Sequence, residues 1–503
     1  MSLVSANYLF FIAIVLLVYS LAPSRVKNAV LLVASLAFAA LSGVWTLAFL
    51  LVTSITTFLG GKFASSGKSP KSKTFAATLA IVFNIALLCA VKYYGVLDSI
   101  AESLNTMFNF SSDSLLALAV PLGMSFYTLQ CVGYVLDCLW QVAPFEKNFF
   151  KYLLFTTYFP ALTSGPINRY RDLSAEFLKP KSFNLSDFRR GAFRICWGFF
   201  LKLVIAERAG LVVNAVYSDH EMYRNVYVVL GVMAFAVQLY ADFSGCMEVA
   251  LGTSLLFGIS LPENFNSPYM SRTIREYWQR WHITLGTYLR DYLYYPLLKS
   301  APFVALGDWG RKKFGKKRGK KVPVYIAMVI LWFAVGYWHG GVWKYIIGSG
   351  LLHCFYIVSG MLAEPLLAKM RKPFNIASVP YQIFQGVRTF VLVLAGFVFF
   401  RAANVPDALA MIKALFSGVG SAERILSVPN LIVLLVSVLL LCAVDIYKFR
   451  RDQNLEPKSV VSLLERTNIP VRIFLFALLA LAVLVFGMYG LGYDSSAFIY
   501  ARI

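Results

Sequence analysis

The chain has 503 residues, of which 59% are hydrophobic and only 14% charged, with a mean hydropathy of +0.66. Soluble proteins carry about a quarter charged residues, so this composition excludes a soluble enzyme and predicts an all-α polytopic membrane protein. The 47 Lys and Arg against 25 Asp and Glu leave a net charge of +22. In so apolar a chain that excess reads first as positive charge sorted to one membrane face, and only second as nucleic-acid binding.

A spanning helix needs roughly 20 apolar residues, and about eleven stretches qualify. In chain order they are Tyr8 to Ala22, Val30 to Leu59 (read as two shorter helices broken near Ser42 and Gly43), Phe75 to Val91, Leu115 to Leu136 and Val226 to Ala241. Val249 to Leu261, Val322 to Trp343, Tyr345 to Leu362, Phe384 to Phe400, Leu431 to Val444 and Val471 to Tyr489 follow. No short period repeats and no Ser/Gly/Pro linker interrupts, so residues 1–503 read as one membrane domain.

Charge order sets sidedness. The first apolar stretch has no Lys or Arg before it and Arg25 and Lys27 after it, the reverse of a secretory signal peptide, which predicts a retained helix with its N-terminus outside. Lys62, Lys68, Lys71 and Lys73 then fall inside, and the Leu97 to Ser114 loop, with Asp98, Glu102 and Asp113 but no Lys or Arg, falls outside. The basic run Arg311 to Lys321 reads as a cytoplasmic loop touching anionic lipid headgroups. Between about Tyr152 and Phe200, and again between Leu261 and Pro302, Pro, Gly and Arg interrupt the apolar pattern. Phe159 to Ile167 is apolar, too short to cross and bracketed by prolines, and is expected to be re-entrant under a protein or water-filled cover. The seven cysteines form no C-x-x-C pair and read as packing residues, with no metal site.

Chemistry must come from few residues, and there are only four histidines. His220, in Asp219-His220-Glu221, reads as solvated, and His353 is open between a hydrogen-bonded core histidine and a supporting role. His339 stands in Tyr337-Trp338-His339-Gly340-Gly341, in an apolar stretch without charge from Val322 to Trp343. An ionisable group there is expensive and by default marks function. Its neutral imidazole is the form that takes a proton from a hydroxyl. His282 follows Arg272, Arg275 and Arg280. Helical spacing puts Ile274, Trp278, Trp281, Leu285, Leu289 and Tyr292 on an apolar stripe, with Arg275, Gln279, His282, Gly286 and Arg290 on another face. That face is either a solvated side of an interfacial helix or the wall of a cavity for an anionic donor. No G-x-S-x-G, Walker, G-x-G-x-x-G or H-E-x-x-H pattern occurs. The intramembrane acids Asp242 and Glu248 keep an ion-pathway or lipid-linked glycan transporter reading open.

Several stretches together carry a resemblance: Pro121 to Tyr127, Phe159 to Ile167, Tyr240 to Gly245, Leu261 to Tyr269, Arg280 to Leu285, Leu289 to Leu297 and Trp338 to Gly340. On these the chain resembles the membrane-bound O-acyltransferase family, in its bacterial branch of polysaccharide and peptidoglycan O-acetyltransferases, with the teichoic acid D-alanylation branch more distant. The core of the likeness is roughly residues 115–400, and residues 401–503 match weakly. The resemblance implies helices ringing a thin floor, with a cytoplasmic and an outer funnel meeting at a buried histidine. It matches His339 to the family's catalytic histidine and His282 to the second histidine of the bacterial branch. It implies a thioester donor, acetyl-CoA or an acylated carrier protein, and no bound cofactor. It also implies an extracytoplasmic partner of the SGNH-hydrolase type, a bacterial cytoplasmic membrane, and no nucleic acid. The chain departs from the pattern at Tyr337, where leucine is usual, and in its more basic Arg311 to Lys321 run.

On this basis His339 is expected to act as general base. Trp338, Asn264 or amides near Gly340 are candidates for oxyanion donors, and Arg272, Arg275, Arg280 and Gln279 for donor binding, the arginines at coenzyme A phosphates. The competing readings are a D-alanyl transferase and a lipid-linked glycan transporter.

Overall fold

A computed structural model of the chain describes residues 1–92, 121, 123–178, 183–418, 420, 425–451, 459–461 and 467–490. Among the described residues regular structure is helical, save one isolated antiparallel bridge between Phe265 and Trp281. Among the described residues, seven helices are long and apolar enough to cross a membrane, and a helix pair bent by 93° adds an eighth if it forms one span. The protein is therefore a multi-pass membrane protein, although a count of eleven spans is not confirmed among the described residues.

The first helices are α1 (Ala6–Leu21), α2 (Lys27–Leu41), α3 (Val44–Ser66), α4 (Pro70–Lys92) and α5 (Met124–Leu139). Short pieces follow: α6 (Phe149–Thr157), α7 (Phe159–Leu162), α8 (Tyr170–Leu178), α9 (Leu185–Phe199) and, after a π-helical turn at Phe200–Ala206, α10 (Glu207–Ser218). Next come α11 (Val226–Leu256), α12 (Ile274–Arg280), α13 (Ile283–Leu289), α14 (Tyr295–Lys299), α15 (Ala301–Gly319) and α16 (Val322–Trp338). The chain closes with α17 (Trp343–Arg371), α18 (Val379–Arg401), α19 (Val405–Leu415), α20 (Val428–Arg451) and α21 (Ile469–Phe486).

The expected break at Ser42 and Gly43 is present, and its cause is local. Gly43 adopts φ +134°, a conformation that a side chain would strain, and α3 starts at the next residue. Three expectations need correction. Val226 to Leu261 is not two spans: α11 runs unbroken for 31 residues through both acids. Arg311 to Lys321 is not a loop, since α15 carries most of that run, kinked at Gly315 (φ +77°). The span expected to reach Trp343 ends at Trp338. The expected outer loop Leu97 to Ser114 lies outside the described residues, and the span expected from Leu115 is described from Met124.

The described residues gather into two units, one holding residues 1–195 and 246–262, the other 196–245 and those from 263 onward. In the first unit, aromatic rings lock the short helices in place. Tyr134 and Tyr152 lie 4.5 Å apart, Tyr152 Oη is 2.8 Å from Thr57 Oγ1, and the Tyr170 hydroxyl donates to Glu146 at 2.7 Å. The segment Phe159 to Ile167 is wholly buried, with one turn of helix followed by a turn and irregular chain. Here Arg194 Nε donates to Glu248 at 2.6 Å, both side chains nearly sequestered.

In the second unit, Lys202 on the π-helical turn lies 2.7 Å from Asp242 and 2.6 Å from Glu207. Both acids that suggested an ion pathway are thus held in buried ion pairs. Such pairs break even at best against desolvation but are costly to half-remove. Helix α21 buries only Leu479 among its 18 residues, a surface tolerable in lipid and not in water.

Candidate active site

The segment that ends in His282 is shaped by the residues facing it. Helix α12 is started by Thr273, whose hydroxyl accepts from Glu276 N at 3.1 Å, and it stops after only seven residues. Trp281 is extended (φ −103°, ψ 128°) and bridges Phe265; Asn266 N donates to Arg280 O and Ile283 N to Asn264 O, each at 3.0 Å. His282 between them is left-handed (φ 47°, ψ 52°) and precedes α13. For a residue with a β-carbon that conformation costs about 1–3 kcal/mol and persists only where surroundings enforce it. The continuous helix expected from Ile274 to Tyr292 is therefore broken at Trp281 and His282. His282 does not share a helical face with Arg275, Gln279 and Arg290.

The break turns His282 inward. It is 1% exposed, its ring meets Phe243 edge-on at 4.9 Å, and its Nδ1 lies 3.2 Å from Asn264 Oδ1. Burial lowers its pKa to about 3, which keeps the imidazole neutral at cellular pH.

His339 arrives from the other direction, as the residue that caps α16. It is 2% exposed and packs edge-on against Phe400 at 5.4 Å. Close backbone approach sets this end of α16. A β-carbon on Gly336 would fall 2.5 Å from Ile346 Cα, and one on Gly350 2.5 Å from Trp332 O, so two glycines let α16 and the start of α17 touch. Trp338 joins the two histidines. Its ring lies 5.8 Å from that of His282 and 5.0 Å from that of His339, so both buried imidazoles border one indole.

The other expected site residues divide. Asn264 is buried and engaged with the turn at His282. Arg280 is buried, donating to Glu276 at 2.9 Å and to Asn266 O at 3.2 Å, with its guanidinium over Phe449. Those bonds make it a structural cation and not an open phosphate clamp. Arg272 is half-buried and also faces Phe449, whereas Arg275 and Gln279 are exposed. His353, left open between a hydrogen-bonded core histidine and a supporting role, is buried among Trp278, Trp332 and Tyr277, and its Nδ1 has no hydrogen-bond partner among the described residues. His220 is partly exposed, 3.6 Å from Asp407. No group of three His, Cys, Asp or Glu suited to a metal ion occurs among the described residues.

Phe243, Thr284 and Phe400 complete the surroundings of the two histidines, and the sequence pattern does not single them out. Phe243 and Phe400 look like ordinary apolar span residues. Thr284 meets Asn264 through its backbone amide and its hydroxyl, a contact that only the folded turn brings together.

Chemically, two buried imidazoles beside an indole suit proton transfer to or from an uncharged substrate group. Comparison with known proteins agrees with that chemistry. Residues 144–307 match the family model of the membrane-bound O-acyltransferases. The chain is 31% identical to the probable alginate O-acetylase AlgI of Azotobacter vinelandii, over 81% of this chain and 76% of that protein. It is 30% identical to the peptidoglycan O-acetyltransferase of Helicobacter pylori (67% and 64% covered). To the teichoic acid D-alanyltransferase of Bacillus subtilis it is 29% identical (46% and 56% covered).

Proposed function

The chain belongs to the membrane-bound O-acyltransferase family and is an acyltransferase, and we propose that it moves acetyl groups from cytoplasmic acetyl-CoA to hydroxyls of an extracytoplasmic polysaccharide. The observation that carries this reading is the pair of buried imidazoles, His282 and His339, bordering Trp338 in a chain whose relatives include O-acetyltransferases of alginate and peptidoglycan. The membrane is the bacterial cytoplasmic membrane, and the acetyl group passes to the glycan through an extracytoplasmic partner of the SGNH-hydrolase type.

In the step proposed, His339 takes the proton of the acceptor hydroxyl as its oxygen attacks the thioester carbonyl carbon. The C–S bond then breaks, the ester remains on the acceptor, and the proton passes from the imidazolium to the departing thiolate. General-base assistance of this kind is worth about 10²–10⁴-fold. Trp338, through its indole N–H, and the amides near Gly340 are the candidates to stabilise the oxyanion. Arg275 and Gln279, which are exposed, and Arg272 are the remaining candidates for holding donor phosphates. The basic run in α15 is suited to anionic lipid headgroups.

The test is ester chemistry of the envelope. In a strain lacking the gene, mild alkali is expected to release far less acetate from purified envelope polysaccharide, with release restored by the wild-type gene. Unchanged acetate together with lost D-alanine would overturn the acetyl reading in favour of D-alanylation.

A further inference from the structure

Asn264 Oδ1 is the meeting point of three groups from the turn between α12 and α13. The Thr284 backbone N–H donates to it at 3.0 Å, the Thr284 hydroxyl donates at 2.9 Å, and His282 Nδ1 lies at 3.2 Å. A carboxamide can be turned over to exchange its oxygen and nitrogen, but here the exchange is forbidden. A backbone N–H only donates, and turning the amide would set its NH₂ against that N–H. The atom facing the turn is therefore oxygen. A carboxamide oxygen only accepts, so the ring nitrogen facing it carries the proton. In a neutral imidazole the lone pair then belongs to Nε2.

We propose that Asn264 is a positioning residue: it locks His282 as the Nδ1–H tautomer and so makes Nε2 the nitrogen that accepts a hydrogen bond from a substrate O–H or S–H group. The role in turnover rests on the acyl-transfer reading above, whereas the tautomer does not. A neutral Nε2 bearing a lone pair cannot donate to a thioester carbonyl, so His282 does not polarise the donor. The Asn264 oxygen serves as acceptor for these three groups, so any bond from Asn264 to an oxyanion would have to come from its NH₂ group. The same three bonds explain how a buried histidine is held in the left-handed region.

With four histidines in the chain, a ¹⁵N-histidine NMR spectrum of the full protein in liposomes has few signals, and a His282→Gln variant identifies those of His282. Near neutral pH the expected spectrum shows a protonated Nδ1 and a proton-free Nε2 for His282. A proton on Nε2 with a bare Nδ1 would overturn the proposal, whether or not the protein transfers acetyl groups. Turnover gives the second measurement. Asn264→Asp retains an acceptor oxygen and is expected to keep the Nδ1–H signature, with kcat within about 10-fold of wild type. Asn264→Leu removes the acceptor and is expected to lower kcat by about 10²-fold with KM little changed. Wild-type kcat in folded Asn264→Leu protein would contradict the positioning role. If that variant does not fold, the wild-type spectrum still decides.

Discussion

His339→Ala is expected to lower acyl transfer by at least about 10²-fold while the protein still accumulates in the membrane, because the substitution removes a proton acceptor and only a modest volume. The residue caps α16 through its backbone N–H, which alanine retains, so the helix end is expected to survive. Polysaccharide acetyl content in a deletion strain carrying the variant, set against the amount of variant in the membrane, separates the two effects. Acetylation near the wild-type level would remove His339 as the base.

Lys202→Ala is expected to be the most damaging substitution for stability. It leaves the buried Asp242 carboxylate and the half-buried Glu207 carboxylate without the ammonium that lies 2.7 Å and 2.6 Å from them. Removing one partner of a buried ion pair costs about 3–5 kcal/mol, most of it from the charge left behind. The double variant Lys202→Met with Asp242→Leu takes away the main stranded charge and is expected to recover much of the loss. Thermal unfolding of the detergent-solubilised protein checks both. A single variant that melts with wild type would show that the pair is not the stabilising element described.

These two sites illustrate what a single sequence reveals. The histidines stood out because ionisable residues are rare in apolar stretches, and that signal is local: it lies in the window around each residue. The break at Gly43 is local too, since it depends on one glycine's own backbone. What escaped was non-local. Asp242 and Glu248 interrupt hydropathy and suggested a gap between two spans, yet α11 passes through both, because Lys202 and Arg194 neutralise them from a distant part of the chain. Periodicity from Ile274 to Tyr292 indicated one helix, yet Asn264 and Phe265 pair with the chain at Trp281 and His282 and break it there. The arginines before His282 illustrate the same limit: spacing grouped them, whereas burial separates Arg280, bonded to Glu276, from exposed Arg275.

The most direct test of the central claim is acetyl transfer by the purified full-length protein in liposomes, with radiolabelled acetyl-CoA outside and a soluble hydroxyl acceptor supplied. Wild type is expected to release coenzyme A and form an alkali-labile acetyl ester in equal amounts, and His339→Gln to do neither above background. Ester formation by His339→Gln at the wild-type rate, or no thioester consumption by active wild-type protein from complemented cells, would contradict the account.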